Sequence, residues 1–434
     1  MLSYAGPILL ACISGLALCG LVRTAHLGLA ADCVGIALPV ALLVWATNSL
    51  AAHNPPLEAR SPAFVCVLFA AAFAIAALYW CLSFQHAPDG GWDAWMIWNL
   101  RARFLGGTDF DLAATLPPAL ARADFGSHLD YPLLLPLALA ELALAFGWHP
   151  SIPALVSAAG AVAVVACAWR VAASWREACA AAAVSLALVC TPEFVQAAAA
   201  QYAALWLAAF LLLAAEGLLR SLASFDDPAT TSRSMASPLA VSGVGFSLAA
   251  SVKQEGLLWF AAGLFALATA TPAGRRLRAV ASFLAAAAPL LLVTSWFRWV
   301  LAPRSDLAQP LSVALGRIAD PARWLSLFAG LSLRVVYFQA WGLWLIAFAL
   351  AAVWFGRGPS SPRARGLGRL LLVVAVGEVL VYLATPHDLP WHIRTSLDRL
   401  LLHAWPLALL WLAARVMPVP TSSTPLDAPP RSAG

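Results

Sequence analysis

The sequence predicts an all-α membrane protein of about twelve transmembrane helices, and three observations predict it. The chain of 434 residues is 62% hydrophobic and only 11% charged, with mean hydropathy +0.82. A soluble fold of this length could not hide so much apolar surface. The apolar residues come in long runs without alternation, which excludes a β-barrel. The charge that remains is mostly arginine, clustered in short stretches between the runs. Its net value of +5 therefore reports topology rather than nucleic-acid binding.

Spans of about 20 apolar residues are expected at 3–22, 33–50, 62–82, 151–169, 178–191, 201–219, 237–252, 257–271, 279–300, 336–355, 369–385 and 398–414. The first has no basic leader and runs straight into the second, so it reads as a retained helix and not as a cleaved signal. Residues 1–61 are expected to form an N-terminal pair of spans, 62–417 the main membrane domain, and 418–434 a Pro/Ser/Thr-rich disordered tail. No internal repeat is evident. The cysteines number eight, lie mostly inside apolar runs and show no Cys-x-x-Cys, so they read as small hydrophobes.

Arginine fixes the sides. Arg275, Arg276 and Arg278 mark one cytoplasmic loop, and Arg357, Arg363, Arg365 and Arg369 another. Arg170 with Arg176, and Arg220 with Arg233, mark two more. These agree only if Pro132–Phe146 does not cross. That segment is too short for a comfortable span and carries Glu141 in its middle, so it reads as an interfacial helix. Both termini are then cytoplasmic. The opposite face collects Asp93, Asp130, Lys253, Glu255, His392, Arg394 and Arg399, and also Arg23, which runs against the pattern.

Three stretches on that face carry chemistry. In Gly91-Trp92-Asp93-Ala94-Trp95, a short helix is expected over 94–105, with Asp93 at its N-cap and Trp95 and Trp98 on one face at headgroup level. A carboxylate fixed in direction at a membrane cleft suits a general base. His128-Leu129-Asp130-Tyr131-Pro132 places Asp130 as a cap before a Pro-started helix. His128 and Asp130 are too few for a metal site, so no cofactor is assigned and a divalent metal stays open.

The second stretch is Lys253-Gln254-Glu255-Gly256, the tip of a helical hairpin. Lys253 is the single lysine beside 25 arginines. Ionisable groups at membrane depth are costly and by default functional. A Lys253–Glu255 ion pair would account for Glu255 as well as function does; Lys253 suits a substrate phosphate as a compact point charge. The third stretch enters the last span, with His392, Ser396, Arg399 and His403 along one helical face and Arg394 beside them. Hydroxyl, imidazole and guanidinium at a helix N-terminus form a phosphate cradle. Snorkelling, with Asp398 neutralising one arginine, is the competing reading.

Together these motifs resemble the GT-C superfamily of membrane glycosyltransferases, in particular bacterial relatives of the protein O-mannosyltransferases and the lipid A aminoarabinose transferase. The resemblance runs from about Phe64 to Met417. Gly91 to Trp95 looks like the family's first-loop acidic motif, Asp130-Tyr131-Pro132-Leu133 like its Pro-Leu helix start, and Lys253 to Gly256 like its lysine turn. Trp391-His392 through Arg399 resembles a motif of one bacterial branch. The chain departs from the pattern at Gln201-Tyr202-Ala203-Ala204, where relatives often carry an Asp; Glu193 is the nearest acid. The resemblance implies a GT-C-like fold with interfacial helices in the first outer loop, in the inner membrane of a bacterium, with the site facing the periplasm or exterior. It implies an inverting glycosyltransferase using a polyprenyl-phosphate sugar donor and a glycan, lipid or protein acceptor, with Asp93 catalytic and Asp130, Lys253, Glu255, His392, Arg394 and Arg399 binding substrate. A transporter or flippase of a lipid-linked sugar is the alternative. All these residues are expected in one cavity, with an anionic and a cationic wall.

Overall fold

The computed structural model describes residues 2–24, 63–106, 128–175, 178–225, 232–305, 307–336, 341, 343–356 and 361–416. The expected span at 33–50 and the tail at 418–434 lie outside the described residues. Helix is the only regular structure among the described residues. The helices are α1 (Leu2–Thr24), α2 (Ala63–His86), α3 (Leu100–Leu105), α4 (Leu134–Phe146), α5 (Ser151–Ala173), α6 (Ala178–Val189), α7 (Pro192–Ala199), α8 (Ala204–Phe225), α9 (Ser232–Val252) and α10 (Glu255–Ala270). They continue with α11 (Ala273–Trp296), α12 (Leu311–Ile318), α13 (Pro321–Val336), α14 (Trp344–Phe355), α15 (Pro362–Ala384) and α16 (Leu389–Val416). Two π-helical turns, Ala94–Asn99 and Phe297–Leu301, lead into α3 and follow α11.

Six helices among the described residues are long and apolar enough to cross a membrane, and the α6–α7 pair, bent by 60°, would make a seventh. The expected spans at 3–22, 237–252, 257–271 and 336–355 are shorter apolar helices. The last of these begins only at Trp344. The preceding sequence instead forms α12 and α13, two amphipathic helices with Leu311, Leu325 and Phe328 exposed. Alternation of polar and apolar residues there is helical in period but too polar to span.

The centre of the bundle is α8, in which all but a few residues are buried. It is apolar all round because other helices surround it. α5 and α9 pack along it. At the α8–α9 seam, Gly217 meets Ser242 and Gly245 meets Ala214, so the backbones approach closely. Small residues at the seam replace the hydrophobic drive that lipid removes. By contrast α2 presents Val67, Phe73 and Ile75 outward, as a lipid-facing span does.

Charge sorts the two ends. At one end Arg170 of α5 and Glu216 of α8 pair at 3.0 Å with both side chains buried, and Arg220 joins Glu216 at 2.6 Å. Arg363 of α15 lies over Trp175 at the same end of α5. Arg170, Arg275 and Arg363 thus sit within helices and not in loops, as the sequence reading had them. At the other end Arg23 donates to Glu141 at 2.7 Å and to the Leu105 carbonyl at 2.8 Å. The arginine that ran against the pattern thus has a carboxylate partner, Glu141 of α4. α4 lies against the last turns of α1, with its first half buried.

A buried carboxylate shared by two arginines leaves an uncompensated charge when it is removed. Glu216→Ala is expected to cost about 3–5 kcal/mol, read as a lower midpoint of thermal unfolding in detergent. A midpoint equal to the native one would show that the pair carries no stability.

Candidate functional site

The site is built from four loops at the end of the bundle that holds Arg23. The first is Ala87–Leu105. Gln201, in the turn between α7 and α8, receives it. The Gln201 side chain donates to the Pro88 carbonyl at 2.8 Å and accepts from Asn99 at 3.1 Å, while Asn99 donates to the Asp89 carbonyl at 3.1 Å. The Gly91 amide donates to the Ala200 carbonyl at 2.9 Å. Gln201 has φ 59° and is 4% exposed. The position where a carboxylate is absent therefore holds the loop in place through an amide, which can donate and accept at once.

Asp93 follows directly. It is not an N-cap: its backbone is helical and its carboxylate makes no capping bond. Helix already includes residues 92 and 93 and continues through a π turn over Ala94–Asn99. The carboxylate instead forms an ion pair with the Arg399 guanidinium of α16, with the two side chains 17% and 20% exposed. Tyr202 lies under the same guanidinium at 5.6 Å. Burial and the charge of Glu193 raise the Tyr202 phenol, so it stays protonated. Trp98 is buried against Tyr131 and does not face outward; Trp92 and Trp95 are the exposed pair.

The second loop is 128–133. Arg101, which the sequence reading passed over, is 5% exposed and donates to the carbonyls of His128 at 3.3 Å and Tyr131 at 2.5 Å. Burial lowers its guanidinium to about 10, with Asp130 opposing. Asp130 does not cap α4, which starts at Leu134 with Leu133 before it. It is buried and accepts from the Gln254 amide.

That bond joins the third loop, the α9–α10 turn. A Cβ on Gly256 would lie 2.3 Å from the Ala249 carbonyl, so glycine is required for the hairpin to close this tightly. Closure presents Lys253, 5% exposed, and Glu255 side by side, paired at 2.8 Å. Arg298, in the π turn after α11, donates to Gln254 at 3.3 Å.

The fourth loop enters α16. Asp388 caps the helix, accepting from the Trp391 amide at 2.8 Å. Arg323 of α13 ties down the end of α15, donating to the carbonyls of Leu383 at 2.7 Å and Thr385 at 2.9 Å. His392 meets the Thr385 hydroxyl at 3.0 Å, and the Ser396 hydroxyl is shared between Tyr382 and the His392 carbonyl. Asp398 pairs with Arg334 at 3.1 Å and accepts from Trp341, so it neutralises an arginine of α13 and not one of its own helix.

These loops enclose a cavity of about 310 Å³ lined by Lys253, Glu255, Arg298, Glu378, His392 and Arg399, among others. Asp93 reaches it through Arg399, and Asp130 through Gln254. Arg394 does not line it; its side chain is exposed. Glu193 is buried near Asp398 and Arg334 and does not line it either. Charges are interleaved, each acid beside a base, in place of the expected two walls. Arg298 and Glu378 were missed because each is one polar residue inside an apolar run. Among the described residues no three His, Cys, Asp or Glu side chains converge as a metal-ligand set.

No protein-family model matches the sequence, and no curated protein matches it. Among solved structures, the fold is similar to the crystal structure of ArnT from Cupriavidus metallidurans bound to undecaprenyl phosphate. The two chains are 15% identical with a TM-score of 0.44, over 81% of this chain and 60% of that one.

Removing the hub should loosen the first loop without unfolding the bundle. Gln201→Ala leaves Asn99 and the Pro88 carbonyl short of partners, at about 1–3 kcal/mol for each group that stays buried and unsatisfied. Faster backbone hydrogen exchange confined to 87–100 is the expected result; unchanged exchange there would remove Gln201 from this role.

Proposed function

We propose that this chain is a membrane glycosyltransferase that moves a sugar from a polyprenyl-phosphate donor to an acceptor hydroxyl on the non-cytoplasmic face, with inversion. The observation that carries the reading is the meeting of Asp93 with Arg399 at a cavity that also holds Lys253 and Arg298. Three cations at membrane depth suit a lipid-borne phosphate. One carboxylate beside them suits a proton acceptor. The arginines of α11 and α15 at the opposite end support the outward orientation of the site.

In the proposed reaction the acceptor oxygen attacks the anomeric carbon as the bond from that carbon to the phosphate oxygen breaks. Polyprenyl phosphate leaves with the electron pair. Lys253, Arg298 and Arg399 stabilise the growing charge on it. Asp93 takes the proton from the acceptor hydroxyl. Arg399 serves two anions in turn: it holds Asp93 until the donor phosphate competes for the guanidinium, which frees a carboxylate oxygen for the acceptor. Asp130 acts through Gln254, setting the lysine turn. His392 and Glu255 contact the donor from the same cavity. Arg394, exposed on α16, is left without a part.

General base work is typically worth about 10²–10⁴-fold. Asp93→Asn should lower transfer from a labelled donor lipid by about that factor while the variant remains monodisperse and helical. Near-native transfer in that variant would refute the assignment. Label that crosses the membrane without leaving its lipid would mark a transporter instead.

A further inference from the structure

α10 packs against α15 beside the cavity, with the Leu258 side chain over Gly377. A Cβ on Gly377 would lie 2.4 Å from Leu258, so no larger residue fits there without displacement. The contact brings the next residue, Glu378, to the cavity wall that already holds Lys253 and Glu255. Lys253 takes one oxygen of Glu255 at 2.8 Å. The other oxygen of Glu255 and one oxygen of Glu378 are buried without a hydrogen-bond donor. Glu378 lies within electrostatic reach of both Lys253 and Glu255. Buried carboxylate oxygens without donors are costly, and a native fold that keeps two of them in side chains that line one cavity calls for an explanation.

Charge narrows what could satisfy them. The two acids offer no donor to an anion, so the donor phosphate belongs with the cations Arg298, Arg399 and Lys253 and not against Glu255 and Glu378. Lys253 between them repels a bare cation. A neutral group rich in hydroxyl donors meets both conditions. We propose that Glu255 and Glu378 form a hydroxyl-reading subsite for the sugar of the lipid-linked donor, each accepting from a sugar hydroxyl, with Lys253 fixing the direction of Glu255. The inference rests on the glycosyl-transfer reading and adds to it a specificity-determining residue, Glu378. A site that pairs its buried acceptors with substrate hydroxyls discriminates strongly against ligands that lack them.

The test uses the full-length protein in detergent and two lipid probes. One is the polyprenyl-linked sugar fraction from the source membranes. The other is the same fraction after mild acid, which removes the sugar and leaves the phosphate on the lipid. The readout is the concentration of each that raises the midpoint of thermal unfolding. Wild type should bind the intact fraction about 10- to 100-fold more tightly than the hydrolysed one, the range for one hydrogen bond to a charged group. Glu378→Leu should lose most of that preference and keep only what Glu255 supplies, and Glu378→Gln, which keeps one acceptor, should fall between. Without lipid, Glu378→Leu should melt at or above wild type, because it removes a buried oxygen that lacks a donor. A midpoint below wild type would show that Glu378 is structural, and an undiminished preference in Glu378→Leu would overturn the subsite. Equal stabilisation of wild type by both fractions would overturn the subsite alone. No stabilisation by either would overturn the donor reading and the subsite with it.

Discussion

The ion pair between Asp93 and Arg399 joins the loop after α2 to α16, and the rest of the site depends on it. Residues so far apart in the chain meet only if α2 and α16 end at the same depth and the loop between α7 and α8 holds the Asp93 turn against α16. Gln201 and Asn99 do the holding, and Tyr202 supplies a flat apolar rest for the guanidinium. An ion pair with side chains 17% and 20% exposed is partly shielded from water, which strengthens it and costs desolvation on both sides. Such a pair gives little net stability, but it fixes direction. In the proposed reaction, an incoming phosphate that offers Arg399 a better partner would change what Asp93 is free to do.

The same logic runs through the neighbouring loops. Lys253 is held by Glu255, Gln254 by Asp130 and Arg298, and the entry to α16 by Arg323 from outside. Each cation in the cavity therefore has a partner of its own, with which any anionic ligand would compete. This keeps several charges at membrane depth without leaving any of them bare, which lipid would not tolerate. At the far end Arg170, Glu216 and Arg220 form a buried network outside the cavity, and its role is to bind α5 to α8.

Much of this was legible in the sequence. Span length and apolarity found the long helices, and rare ionisable residues at span ends found Asp93, Lys253, Glu255, His392 and Arg399. What escaped did so for physical reasons. Asp93 looked like a cap because it precedes an apolar run, yet helix begins before it and passes through a π turn that spacing does not reveal. Trp98 looked like an anchor because tryptophans at span ends usually are, but Tyr131 and α4 cover it. Arg394 and Arg399 differ by five residues, which places them on different faces of α16; only packing decides which face is inside. Glu378 and Arg298 are single polar residues within apolar helices, and sequence alone cannot tell whether such a residue meets a cavity or another helix. Gln201 looked like a missing acid, while its two-sided hydrogen bonding shows what an amide does there that a carboxylate could not.

The most direct test of the central claim is a cross-link. In a cysteine-free background, Asp93→Cys and Arg399→Cys are introduced together and treated in native membranes with a short bis-maleimide. The account predicts an intramolecular cross-link in high yield in the double variant. Both single variants should also be labelled from the same side of the membrane by an impermeant thiol reagent. Absence of the cross-link, with the two cysteines labelled from opposite sides, would contradict it.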